Sequence, residues 1–140
     1  MIFLDSSFLV AYAVDGDSNH ARAVELMDEI VDSVHGFPVI SDYVFDETAT
    51  VTFLRTGELQ KARLVGDAML KAFRMLKVDD RVFREGRKRF QGQRGTKYSF
   101  TDCTTMELMA QNGVDKITTF DKEFRADRRF AVVGVRRPIG

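Results

Sequence analysis

The chain reads as an α/β protein, a parallel sheet covered on both faces by helices in a three-layer α/β/α sandwich. Two observations predict this. Short runs apolar at every position, Ile2-Phe3-Leu4 and Val39-Ile40, look like strands buried on both sides. Segments of helical period lie between such runs, and the alternation of strand and helix signals is the order a parallel sheet with crossover helices requires.

Taken in order, Ile2–Leu4 is the first strand and ends at Asp5. A helix follows over Ser18–Val34, where Ala21, Val24, Leu26, Met27, Ile30 and Val31 recur at spacings of three and four. Pro38 precedes the second strand. The helix Ser41–Arg55 starts at a good N-cap serine and stops before Gly57. Helices Leu59–Phe73 and Asp80–Phe90 enclose a weaker strand signal, Met75–Val78. The helix Thr101–Gln111 ends at Asn112-Gly113, and Lys116–Thr118 and Val132-Val133 are the remaining strand signals. The other proline, Pro138, stands near the end, and no repeat, low-complexity stretch or linker interrupts the run, so residues 1–140 are expected to form one domain.

Composition narrows the chemistry. Hydrophobic residues at 44% and charged residues at 30% give the balance of a folded globular chain. The single cysteine, Cys103, excludes a disulfide framework and a multi-cysteine zinc site; it is expected to be a small buried packing residue. Two histidines, His20 and His35, are too few for a histidine-rich metal site. No apolar run approaches the roughly 18 residues of a membrane span, and Met1–Asp5 lacks a basic leader, so a reduced, cytoplasmic setting without membrane attachment is expected. The twelve phenylalanines are expected to fill the core, including Phe90, Phe124 and Phe130, although these three stand among bases and could stack on nucleobases.

A net charge of zero conceals an asymmetry. Residues 1–47 carry ten acids and one base, Arg22, whereas residues 48–140 carry twenty bases and eleven acids. Within Arg81–Lys97 seven bases face one acid, Glu85, and Lys122–Arg137 adds six bases against two acids. Opposite signs in the two halves point to a polyanion on one side and cations or a basic partner on the other.

Four acids hold positions that invite chemistry. Parallel sheets bind ligands beyond the carboxyl ends of their strands. Asp5 and Asp121 fall at two such ends, where each taken alone reads first as an N-cap or turn residue and only the set of four points to a site. On the helix from Ser41, Glu47 shares a face with Val44, Val51 and Leu54, while Asp46 points away. A carboxylate on an inward face is costly without a partner or a metal. Asp102 shares a face with Met106 and Met109, but Ser99 three residues earlier makes it an equally good capping-box residue. Four clustered carboxylates repel one another unless a cation neutralises them, and hard oxygen ligands suit magnesium or manganese. That is the chemistry of metal-assisted phosphodiester hydrolysis.

Phe3-Leu4-Asp5-Ser6-Ser7, Asp46-Glu47-Thr48, Ser99-Phe100-Thr101-Asp102 and Thr118-Thr119-Phe120-Asp121-Lys122-Glu123-Phe124 together resemble the PIN-domain ribonucleases, especially their single-domain VapC-type toxins. The successive acids are 42, 55 and 19 residues apart, and the resemblance spans essentially the whole chain. It implies a parallel five-stranded sheet in the order 3-2-1-4-5, with Asp5, Glu47, Asp102 and Asp121 as a catalytic, metal-binding quartet. It further implies Mg2+ or Mn2+, RNA as substrate, and products with a 5′-phosphate and a 3′-hydroxyl. Ser6, Ser99 and Thr119 match small hydroxyl positions that orient carboxylates, water or phosphate. Arg87, Lys88, Arg89, Arg94, Lys97 and Arg125 would track the RNA backbone, supplying affinity rather than sequence choice. A small antitoxin protein and a homodimer are implied partners.

Other readings remain at this stage. A non-toxin PIN nuclease of RNA processing has the same quartet, and a PIN-like binding module has the same fold without the catalysis. A phosphoaspartate enzyme built on Asp5 would want a second aspartate two positions on, where Ser7 stands.

Overall fold

A computed structural model describes residues 1–134; Pro138 and the last two bases of the tail, Arg136 and Arg137, lie outside the described residues. The elements in order are β1 (Ile2–Leu4), α1 (Ser6–Ala13), α2 (His20–Val31), β2 (Pro38–Ser41), α3 (Asp42–Thr56) and α4 (Leu59–Ala72). They continue with β3 (Arg74–Leu76), α5 (Asp80–Gln91), α6 (Phe100–Asn112), β4 (Lys116–Thr118), α7 (Lys122–Ala126) and β5 (Ala131–Val132). All strand pairs are parallel, and the order is β3-β2-β1-β4-β5, as expected. Phe3 pairs with Val39 on one side and Ile117 on the other, so the order reverses at β1. Ile2, Phe3, Leu4, Val39, Ile40 and Ile117 are fully buried, which explains their unbroken apolar runs. Helices α1 to α4 pack in succession around α3, and α5 packs on α6. Right-handed crossovers place these two groups on opposite faces of the sheet.

Several elements differ from the sequence reading. Helix α1 has no counterpart in it: Ser6-Ser7-Phe8-Leu9-Val10-Ala11-Tyr12-Ala13 has no apolar stripe because Phe8, Leu9, Val10, Ala11 and Ala13 are all buried. The five-residue α7 is also unexpected. Helix α2 starts at His20 rather than Ser18, and its core face is Ala23, Leu26, Met27 and Ile30, whereas Val24 and Val31 are 40% and 54% exposed. Strands β3 and β5 each begin one residue earlier than expected. Phe124 and Phe130 are core residues, but Phe90 is 43% exposed, resting its ring on Phe100 at 5.8 Å; the expectation of a core Phe90 is corrected.

The face of α3 is a further correction. Its buried residues are Val44, Thr48 and Thr52, while Leu54 is 76% exposed. Glu47 and Val51 therefore flank the buried stripe rather than lie in it. Gly57 and Gly113 end α3 and α6 in the left-handed conformation, at φ 69° and 65°, as their sequence positions suggest.

Candidate functional site

The order reversal at β1 leaves a crevice beyond the carboxyl ends of β1 and β4, the place where open α/β sheets bind ligands. A cavity of about 550 Å³ opens there, and Asp5, Glu47, Asp102 and Asp121 all line it. Ser6 and Ser99 line it as well, and Lys97 stands on its wall. Thr119 is fully buried beneath Asp5.

Asp5 continues the β1–β4 ladder, its N–H donating to Thr118 O at 3.0 Å. Its backbone begins α1, yet its carboxylate makes no capping bond. Instead Oδ2 accepts from Thr119 Oγ1 at 2.6 Å and Ser7 Oγ at 2.8 Å. Ser7 Oγ in turn accepts the Phe120 N–H at 2.9 Å, and Thr119 Oγ1 accepts the Asp121 N–H at 3.0 Å. Two hydroxyls thus clamp the β1 and β4 ends together around one oxygen of Asp5. Ser7 is the residue that sequence reasoning missed; its signal was a second hydroxyl two positions after a strand-ending aspartate.

Glu47, from α3, accepts a hydrogen bond from Ser6 Oγ on its Oε1. Asp102, from α6, forms the expected capping box: Ser99 N–H donates to Asp102 Oδ2 and Asp102 N–H to Ser99 Oγ, both at 3.0 Å. Asp121 caps α7, its Oδ1 accepting the Glu123 N–H at 2.8 Å. Capping and cavity lining are therefore combined in Asp102 and Asp121 rather than exclusive. Asp5 Oδ1, Glu47 Oε2 and Asp121 Oδ2 accept no hydrogen bond among the described residues.

The electrostatics are those of an uncompensated cluster. Burial pushes the Asp5 carboxyl above its usual range, and Asp121 and Glu47 add repulsion that its two hydroxyl bonds only partly offset. Asp102 is pushed up to about 7 by burial and by the negative charges of Asp5 and Asp121. Cations nearby do not relieve this. Arg55, on the cavity wall, is held by Asp17 at 2.7 Å; burial works against that carboxylate, but the guanidinium keeps it ionised below its usual range. Lys97 makes no ion pair among the described residues, and Lys122 is exposed and does not line the cavity. Among the described residues, no group of three or more Asp, Glu, His or Cys side chains is placed to hold a metal ion by itself. The four acids line one cavity as hard oxygen donors, the kind of donor that suits an ion keeping several of its waters, as magnesium does.

The bases assigned to the RNA backbone are dispersed. Arg87 and Arg94 are exposed and unpaired among the described residues, whereas Lys88 pairs with Glu85 at 3.1 Å and Arg89 with Glu107 at 2.7 Å. Arg125 lies on α7, half-buried. Cys103 is buried, as expected, and burial pushes its thiol up, away from nucleophile chemistry. Among the described residues no helix is long and apolar enough to cross a membrane.

Comparison with known proteins agrees with this geometry. The family described as the PIN domain matches residues 2–128. The 23S rRNA-specific endonuclease VapC20 of Mycobacterium tuberculosis is 26% identical over 126 residues, covering 90% of this chain and 93% of that protein. The crystal structure of VapC20, described as a Sarcin-Ricin loop cleaving toxin, superposes with a TM-score of 0.82, covering 97% of this chain and 99% of that one. FitAcB from Neisseria gonorrhoeae shares the fold at a TM-score of 0.65 and 17% identity, covering 94% of this chain and 96% of that one. VapBC2 from Rickettsia felis, bound to a DNA fragment from its promoter, does so at 0.64 and 14%, covering 94% and 97%. The chain belongs to the PIN-domain family.

Proposed function

We propose that this chain is a metal-dependent endoribonuclease, the toxin of a toxin–antitoxin pair, acting in the cytoplasm as a homodimeric single-domain protein. The observation that carries the reading is the cavity that Asp5, Glu47, Asp102 and Asp121 line from four separate elements, none of them in an ion pair among the described residues. The likeness to VapC20, an rRNA endonuclease, supports RNA as the substrate.

In this reading Asp5, Asp102 and Asp121 hold Mg2+ or Mn2+, directly or through water, and Glu47 assists. The chemistry such an ion supplies is polarisation of the scissile phosphate and a lower pKa for the attacking water. Glu47, with Oε1 engaged by Ser6, presents Oε2 to orient that water and take its proton. Ser7 and Thr119 fix Asp5 in one rotamer, so that its free oxygen faces the cavity. Lys97 stands where the RNA backbone enters. Arg87, Lys88, Arg89, Arg94 and Arg125 supply the wider field that gathers the strand. The products carry a 5′-phosphate and a 3′-hydroxyl.

The antitoxin would neutralise the acid cavity with a basic side chain. An apolar groove between α1, α2 and α4, lined by Leu9, Tyr12, Met27, Leu64, Val65 and Met69, supports a second point of attachment. Tyr12 and Leu64 are 41% and 59% exposed there, surface that an amphipathic helix could cover. The function is tested by incubating labelled RNA with the wild type and Glu47→Gln, with manganese and with chelator. Cleavage by the wild type with manganese alone is expected; cleavage that persists in chelator or in the Gln variant overturns the reading.

A further inference from the structure

Beside the acid cavity lies a second one, of about 500 Å³, within the size range of small-molecule sites. Lys88, Arg89, Arg94 and Arg129 line it, and no carboxylate among the described residues does. The segment 96–99 is the wall between the two. Thr96 and Tyr98 face the cationic cavity, while Lys97 and Ser99 face the acidic one.

That wall is braced. Gln93 Oε1 accepts from the Tyr98 N–H at 2.7 Å and from Thr96 Oγ1 at 2.9 Å, and Gln93 Nε2 donates to Tyr98 O at 2.9 Å. The Tyr98 hydroxyl donates to Asp127 Oδ2 at 2.7 Å, and burial together with that carboxylate pushes the phenol above its usual range. Two guanidinium groups are fixed from behind as well. Arg89 Nε donates to Glu107 Oε2 at 2.7 Å, leaving both its Nη atoms without a partner among the described residues. Arg129 grips Asp127 through Nε and Nη2, at 3.0 and 2.7 Å, leaving Nη1. Arg94 has no ion pair among the described residues. Guanidinium forks held in place with free N–H donors match the oxygens of a phosphate better than a mobile lysine would.

We propose that this cavity seats a second phosphodiester of the RNA strand, next to the one attacked over the four acids, with the 96–99 wall between the two contacts. The proposal rests on the nuclease reading and deepens it, because it makes the strand beside the cut part of the recognised substrate. A free phosphate offers the same chemistry, and the experiment separates the two.

The test uses a short single-stranded RNA carrying one uncharged methylphosphonate linkage, moved position by position along the strand. With the wild type, one linkage beside the cut is expected to raise KM about tenfold while kcat stays within about twofold, as for a single lost phosphate contact. In the variant R94A/R129K, which keeps a cation facing Asp127, KM is expected to be raised already and the same linkage to add nothing. K71A, an exposed base on α4 that lines neither cavity, is the control and should leave the profile intact. A flat profile in the wild type, or an equal loss in K71A, overturns the proposal. Competition by inorganic phosphate with a flat profile makes the cavity a small-anion site and also overturns it. Should the wild type not cleave, the nuclease reading fails separately; anisotropy binding of the same oligonucleotides in chelator then decides the cavity by the same profile.

Discussion

Replacing Asp102 by Asn separates the two roles of this residue. The amide keeps an oxygen for the Ser99 N–H, so the cap survives, but the charge among Asp5 and Asp121 is gone. Asp102 ionises near 7 in the folded chain, against 3.8 for an ordinary aspartate. An acid whose folded pKa is raised holds its proton more tightly when folded, so stability is lost as pH rises from about 4 through 7. A shift of roughly three units corresponds to about 4 kcal/mol at pH 8, an upper bound because neighbouring charges and water adjust. Loss of the charge at the helix N-terminus offsets about 0.5–1 kcal/mol of this. The Asn variant is therefore expected to melt several degrees above the wild type at pH 8 in chelator, at roughly 4 °C per kcal/mol for a chain of this size. The gap should close as the pH falls to about 4, where the folded group is neutral and the unfolded one increasingly so. Manganese should raise the wild-type Tm and leave the variant almost unmoved. Thermal melts over this pH range read all of this. An Asn variant no more stable than the wild type at about pH 8 would refute the reasoning, showing that the carboxylate stabilises the fold as a cap more than it strains the cluster.

Other outcomes follow from the same contacts. Ser7→Ala removes one clamp on Asp5 and the acceptor for the Phe120 N–H; a loss of about 10- to 100-fold in kcat is expected with circular dichroism unchanged. Asp5→Asn should reduce RNA cleavage at least about a hundredfold while the chain still folds, measured by gel assay beside a melt. Thr52 Oγ1 is buried without a partner among the described residues, so Thr52→Val should stabilise the chain by about 1 kcal/mol in urea titration. Gly86→Ala puts a methyl 3.1 Å from Thr104 Cγ2 and 3.3 Å from Thr104 Cα. It should lower stability by about 1–2 kcal/mol although alanine favours the helix, because α5 and α6 cannot then approach as closely.

The sheet was legible because its central strands are apolar on both faces and its helices are punctuated by good caps. Ser41 accepts from the Val44 N–H, and Gly57 and Gly113 take the left-handed turns their positions foretold. Helix α1 escaped because a short helix buried all round has no period to read. The position of Glu47 was found from a stripe that proved to be drawn differently: Leu54 faces solvent, and threonines occupy the buried face. Glu47 reaches the cavity all the same, since α3 passes the crevice with its 47 and 51 edge. The roles of Ser7 and the second cavity depend on contacts more than a hundred residues apart or across a folded loop, which no local pattern carries.

The proposed activity requires one divalent cation site shared by the carboxylates of Asp5, Glu47, Asp102 and Asp121, from the end of β1, α3, α6 and the end of β4. Crystals soaked in manganese and measured by anomalous scattering test it most directly. A peak inside the crevice with oxygens of Asp5 and at least one of Glu47, Asp102 and Asp121 around it, directly or through water, is the expected result. A crevice without manganese at saturating concentration, or an ion bound only elsewhere on the molecule, would contradict it.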